Sequence, residues 1–173
     1  AYGDKAEISN ITASITLYAQ WTLDTYTITY EYAGGTAPVN PGNPASYTVE
    51  SEITLQAPTR TGYTFAGWKK TGTSETVAII PRGSTGNMSL TAQWETVPYT
   101  ITYKTDGGSP IAAGSYTIEE GVTLPTNTTK EGYLFDGWTE EGKTDKVTAI
   151  SAGTTGDKTY KANWKPITYT VKL

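Results

Sequence analysis

The sequence predicts a mainly-β chain built of small sheet modules in tandem, with little or no helix. Three observations carry this. Apolar and aromatic residues alternate with threonines at period two in several short runs, as in strands with one buried face. Glycines and prolines gather between those runs, where turns belong. The stretch Tyr26–Trp94 recurs, with variations, as Tyr99–Trp164. A spacing of about 70 residues is too long for a one-layer solenoid repeat and long enough for a small domain.

Each repeat opens on a strand. Tyr26, Ile28, Tyr30 and Tyr32 alternate with Thr27, Thr29 and Glu31, and Tyr99, Ile101 and Tyr103 alternate with Thr100, Thr102 and Lys104. The strand ends at a glycine pair, Gly34-Gly35 or Gly107-Gly108, where a turn has access to positive φ. A proline-rich loop follows in the first copy and a shorter one in the second. Tyr47-Thr48-Val49 and Tyr116-Thr117-Ile118 alternate again, and Ile53-Thr54-Leu55 and Val122-Thr123-Leu124 continue the rhythm.

The next segment is Gly62-Tyr63-Thr64-Phe65-Ala66-Gly67-Trp68, matched by Gly132-Tyr133-Leu134-Phe135-Asp136-Gly137-Trp138. Tyr and Phe, two apart, share a sheet face. The tryptophan, three beyond Phe, joins them only if the intervening glycine bulges the strand, and a bulge is expected in both copies. The closing strands place Met88, Leu90, Ala92 and Trp94, or Tyr160, Ala162 and Trp164, on one face, with the small alanine leaving room for the central aromatics. The expected structural core is Tyr63, Phe65, Trp68 and Trp94 in the first copy and Tyr133, Phe135, Trp138 and Trp164 in the second. Trp21 belongs to it too, as the end of a fragment, Ile15–Trp21, that copies the closing strand.

The expected organisation is therefore a C-terminal part of a preceding repeat (1–21), two complete repeats (22–95 and 96–165), and the first strand of a following one (166–173). Four-residue links reach at most about 13 Å. Pro98 and Pro166 stiffen two of them, so adjacent modules should form a semi-rigid series.

Composition narrows the function. The chain has no Cys and no His, which rules out disulfides, thiolate sites and any Ser-His-Asp or Cys-His arrangement within it. Its 13 Tyr, 5 Trp and 2 Phe must then supply most of the burial. Net charge is −4, with no basic block for a phosphate backbone, so nucleic acid is not an expected partner. None of the carboxylate pairs Glu50/Glu52, Glu119/Glu120 and Glu140/Glu141 recurs fully in both copies, and they read as solvated turn charges. Asp106 has no Asp-X-Asp-X-Asp neighbours and reads as a turn residue, so no metal or cofactor is expected. No apolar run is long enough to span a bilayer, so membrane attachment is expected only through an anchor elsewhere in a parent protein.

These motifs in this order resemble the Listeria–Bacteroides repeat, also called the internalin B-repeat: Tyr-Thr-Ile-Thr-Tyr, Gly-Gly, Gly-Tyr-X-Phe-X-Gly-Trp, then Ile-Thr-Leu-Tyr-Ala-Gln-Trp. The resemblance covers nearly the whole chain. It implies a β-grasp-like (ubiquitin-like) module of secreted and cell-surface bacterial proteins, without catalytic residues to carry over. The expected role is a spacer or stalk with weak adhesion through the variable loops 33–46, 69–78, 105–115 and 139–148. The alternative is a module that binds a glycan or a host protein through exposed aromatics. Expected partners are a host or bacterial surface protein or a glycan, held weakly, and head-to-tail self-association through the two end segments.

Overall fold

The computed structural model describes residues 12–14, 16 and 18–171. No helix occurs among them. The first repeat contains β1 (Tyr26–Glu31), β2 (Ser46–Tyr47), β3 (Ile53–Thr54), β4 (Tyr63–Lys70), β5 (Thr76–Val77), β6 (Ile79–Ile80) and β7 (Met88–Thr96). The second repeats this series as β8 (Tyr99–Lys104), β9 (Gly114–Tyr116), β10 (Val122–Thr123), β11 (Tyr133–Glu140), β12 (Lys146–Val147), β13 (Ala149–Ile150) and β14 (Lys158–Pro166).

Each repeat forms its own five-stranded sheet, ordered β2-β1-β7-β4-β5 in the first and β9-β8-β14-β11-β12 in the second. A two-stranded ribbon, β3–β6 or β10–β13, accompanies each sheet. First and last strands of a repeat lie side by side and parallel, Ile28 opposite Met88 and Ile101 opposite Lys158. The remaining pairs are antiparallel.

The alternation seen in the sequence sets these faces. Ile28 is buried between exposed Thr27 and Thr29, and Ile101 between Thr100 and Thr102. Two separate cores result. One gathers Ile28, Tyr47, Trp68, Ile80, Leu90 and Ala92, and the other Ile101, Tyr116, Leu124, Trp138, Ile150, Tyr160 and Ala162.

Both ends depart from expectation. Trp21 is 91% exposed and Tyr18 is 82% exposed, so Trp21 is not a core residue here. Residues 167–171 form no strand, and Tyr169 and Val171 are exposed. The reason is topological. Trp94 and Trp164 are half-buried because their own repeats supply a glycine turn to lie on. The opening strand likewise pairs with a closing strand roughly 60 residues downstream. Trp21 lacks such a turn, and Tyr169 lacks such a strand, among the described residues. Residues 1–11, 15, 17, 172 and 173, with the Ile15 and Leu17 positions of the expected closing strand, lie outside the described residues.

Candidate functional site

The central aromatics meet because β4 and β11 bulge. Pairing of β4 with β7 shifts register between Phe65 and Gly67, and that of β11 with β14 between Phe135 and Trp138. Gly67 sits at φ 125° and Gly137 at φ 93°, backbone conformations that side chains resist. The slip turns each tryptophan onto the face of its phenylalanine. Phe65 and Trp68 centroids are 5.5 Å apart with edge-on rings, and Phe135 and Trp138 are 5.3 Å apart. Trp68 faces Ala92 across the ladder, and Trp138 faces Ala162, so the small residue does leave space for the indole.

The four indoles of the two repeats each find an N–H acceptor. Trp68 Nε1 donates to the Gln56 carbonyl at 3.1 Å and Trp138 Nε1 to that of Pro125 at 2.6 Å. Trp94 Nε1 donates to Tyr32 O and Trp164 Nε1 to Thr105 O, both at 3.0 Å. Tyr32, which lacks an aromatic counterpart in the second copy, packs against Trp68 at 5.7 Å and is part of the interior. Burial pushes the hydroxyls of Tyr30 and Tyr160 up to about 12, with nearby Tyr32 adding to the first and Glu140 to the second.

The glycine pairs divide their work. Gly34 and Gly107 take positive φ (84° and 86°), as do the residues before them, Ala33 at 48° and Asp106 at 51°. Gly35 and Gly108 do not. A Cβ on Gly35 would lie far inside van der Waals contact with Trp94 Cζ2, and one on Gly108 far inside contact with Trp164 Cζ2. The second glycine of each pair is thus a seat for an indole, a role that turn chemistry alone does not reveal.

Of the other expected core residues, Phe65 and Phe135 are half-buried, while Tyr63 and Tyr133 stand at the rim. Tyr133 is 39% exposed. Arg60 stacks on Tyr63 at 3.7 Å, and Lys130 lies over Tyr133 at 4.7 Å. Tyr63 also donates to Glu119 of the second repeat at 3.0 Å, a contact the sequence reading missed.

Several charged groups of the second repeat form ion pairs. Glu140 receives Lys143 at 2.7 Å and Lys158 at 2.9 Å, which hold its carboxyl below the usual range. Asp136 is held low by Lys146, then Lys165. Glu141 pairs with Lys104. No group of three or more carboxylates that could hold a metal ion occurs among the described residues. Shallow polar hollows sit at the same place in both repeats, beside the β4–β5 turn (Thr71, Thr91, Gln93) and the β11–β12 turn (Glu141, Lys161, Asn163). Asn163 there is already engaged by Gly137 O and Thr139 Oγ1. The variable loops expose Val39 but no aromatic residue.

Comparison with known proteins is consistent between sequence halves. The family profile described as "Listeria-Bacteroides repeat domain" matches residues 26–93 and 99–163. A protein named as a Gly-rich membrane protein of Evansella cellulosilytica is 28% identical over 170 residues, which is 96% of this chain and 19% of that protein. Internalin H of Listeria monocytogenes is 34% identical over 84 residues, 47% of this chain and 15% of that protein. The chain therefore spans a fifth or less of the length of these relatives. Among solved structures, domains 3–4 of the streptococcal high identity repeats in tandem, from a cell surface protein, align with 83% of this chain and 99% of theirs. That alignment has 18% identity and a TM-score of 0.28.

Proposed function

This chain belongs to the Listeria-Bacteroides repeat domain family, and we propose that it is a non-catalytic spacer segment of a bacterial cell-surface or secreted protein. The observation that carries this reading is the parallel pairing of the first and last strands of each repeat. By register, Tyr26 lies level with Gly86, and β7 runs on to Thr96. The chain thus comes in at one end of the sheet and leaves at the other, roughly 30 Å away at about 3.3 Å per residue. Repeats joined this way lengthen the molecule instead of folding it back. The same parallel pairing supports a β-grasp-like topology for the module. Internalin H and the Evansella membrane protein support a surface location for the parent.

Any adhesion belongs to the variable loops and would gain from repetition. A sugar-binding platform has less support. Most of the aromatics are turned inward. The exposed ones among the described residues, Tyr18, Trp21, Tyr133 and Tyr169, are scattered over the flanks and one rim.

Small-angle scattering tests the spacer. The expected result is an elongated particle in which each repeat adds on the order of 30–40 Å. A compact particle with the repeats doubled back would remove the reading. A glycan array with reproducible hits would favour the alternative.

A further inference from the structure

We propose that the two repeats lock through a dedicated joint, in which the Ile118–Glu119 turn of the second docks on Gly62 and Tyr63 of the first. The partner this surface recognises is thus another copy of the same repeat. The Tyr63 hydroxyl donates to Glu119 Oε1 at 3.0 Å. Arg60 lies over the same ring, its Cζ 3.7 Å from the centroid, a cation–π contact that packs the face of Tyr63. Gly62 is the floor of the contact: a Cβ there would lie 2.6–2.9 Å from three carbons of Ile118. The linker is tied to this floor as well, since Val97 N–H donates to Gly62 O at 3.0 Å.

The second repeat is the internal control. Its equivalent surface is Lys130, Gly132 and Tyr133, which carries the same cation over the same ring. No repeat follows it among the described residues. A Cβ on Gly132 would meet nothing within 4 Å, and Tyr133 is exposed where Tyr63 is half-buried. Cover at Gly62 and Tyr63 therefore comes from the neighbouring repeat and not from their own fold.

The docking turn is held ready before it docks. Gly153 N–H donates to Ile118 O at 2.8 Å, and in the first repeat Gly83 N–H donates to Val49 O at 2.7 Å. Val49-Glu50 thus repeats the pattern of a β-branched apolar residue followed by a glutamate, with valine in place of isoleucine, on the equivalent anchored turn of the first repeat. A rigid turn meeting a rigid floor loses little further freedom on contact, which favours a single relative orientation.

The test uses the full chain, which has no native cysteine. Spin labels are placed on the exposed turns through Ser74→Cys and Thr144→Cys, one in each repeat, and the distance distribution is measured by double electron–electron resonance. The expected result is one narrow distribution, broadened at least about twofold by Ile118→Ala with Glu119→Gln, and unchanged by Val49→Ala with Glu50→Gln. If the first pair of changes unfolds the second repeat by circular dichroism, Glu119→Gln alone carries the comparison. A broad distribution in the parent chain, no response to the 118/119 changes, or equal broadening by both pairs would overturn the joint. The joint and the spacer fail separately: an elongated particle with a broad distribution loses the joint and keeps the spacer.

Discussion

At the scale of single residues, two neighbouring positions in the first repeat make opposite demands on the backbone. Ala33 holds φ at 48°, a conformation in which a Cβ crowds the following carbonyl. Ala33→Gly should relieve that crowding and stabilise the first repeat by about 0.5–1 kcal/mol, even after the added chain entropy of glycine. Gly35, two residues on, has an ordinary φ but no room, because the Trp94 ring occupies the place of a side chain. Gly35→Ala should cost about 1–3 kcal/mol, as overpacking of a tight contact does. Gly108→Ala should cost the second repeat a similar amount, since Trp164 and Thr128 Oγ1 both stand in the way. Urea unfolding monitored by tryptophan fluorescence measures all three. A stabilising Gly35→Ala would mean that the indole does not rest on that glycine in solution.

At the scale of elements, the two repeats share strands but not charges. The second ties β11 to its neighbours through Glu140, between Lys143 and Lys158, and through Asp136, beside Lys146 and Lys165. In the first repeat the positions of Glu140 and Asp136 are held by Lys70 and Ala66. Its own pairs, Lys70–Glu75 and Arg82–Glu52, are 3.9 and 4.0 Å apart and exposed. Both carboxyls of the second repeat have folded pKa values depressed below the usual 4.5 for Glu and 3.8 for Asp. Stability from such groups is present above the unfolded value and is lost as pH falls through the folded one. Acidification from pH 5 downwards should therefore weaken the second repeat more than the first. Indole NMR signals of Trp138 and Trp68, followed through urea titrations at several pH values, report each repeat separately, and Glu140→Gln should narrow the gap. An equal loss in both would show that these pairs contribute nothing net, as many exposed pairs do.

How far these elements were legible in the sequence follows from range. The period-two alternation at Tyr26–Tyr32 and the misfit of three between Phe65 and Trp68 are local, and they gave the strands and the bulge. The seat of Trp94 on Gly35 joins residues far apart in the chain, and nothing in a glycine pair says which member turns and which makes room. Trp21 and Tyr169 carry the right local pattern but have no such distant partner among the described residues, so pattern alone overstates their burial. The Tyr63–Glu119 contact joins different repeats and could not be seen in one copy of the motif.

At the scale of the whole molecule, the proposed spacer role would put load along the length of the chain, and the topology sets how such a load is borne. Force enters a repeat at β1 and leaves at the end of β7, and these two strands are adjacent and parallel. Pulling their outer ends slides one along the other, so the ladder bonds from Ile28–Met88 to Glu31–Thr91 are loaded together instead of being unzipped singly. Antiparallel pairing of the terminal strands, with both ends at one side, would open one bond at a time at low force. Stretching single molecules from their two termini should therefore give two separate rupture events, one per repeat. Each should release on the order of 200 Å, because about 70 residues at roughly 3.3–3.6 Å apiece replace a folded span of about 30 Å. Replacing the buried Ile28 by Ala should lower the force of one event and leave the other unchanged, since the two cores share no residue. A single merged event would mean that the repeats unfold as one cooperative unit, and a smooth extension without peaks would mean that the shared ladder between first and last strands does not resist shear.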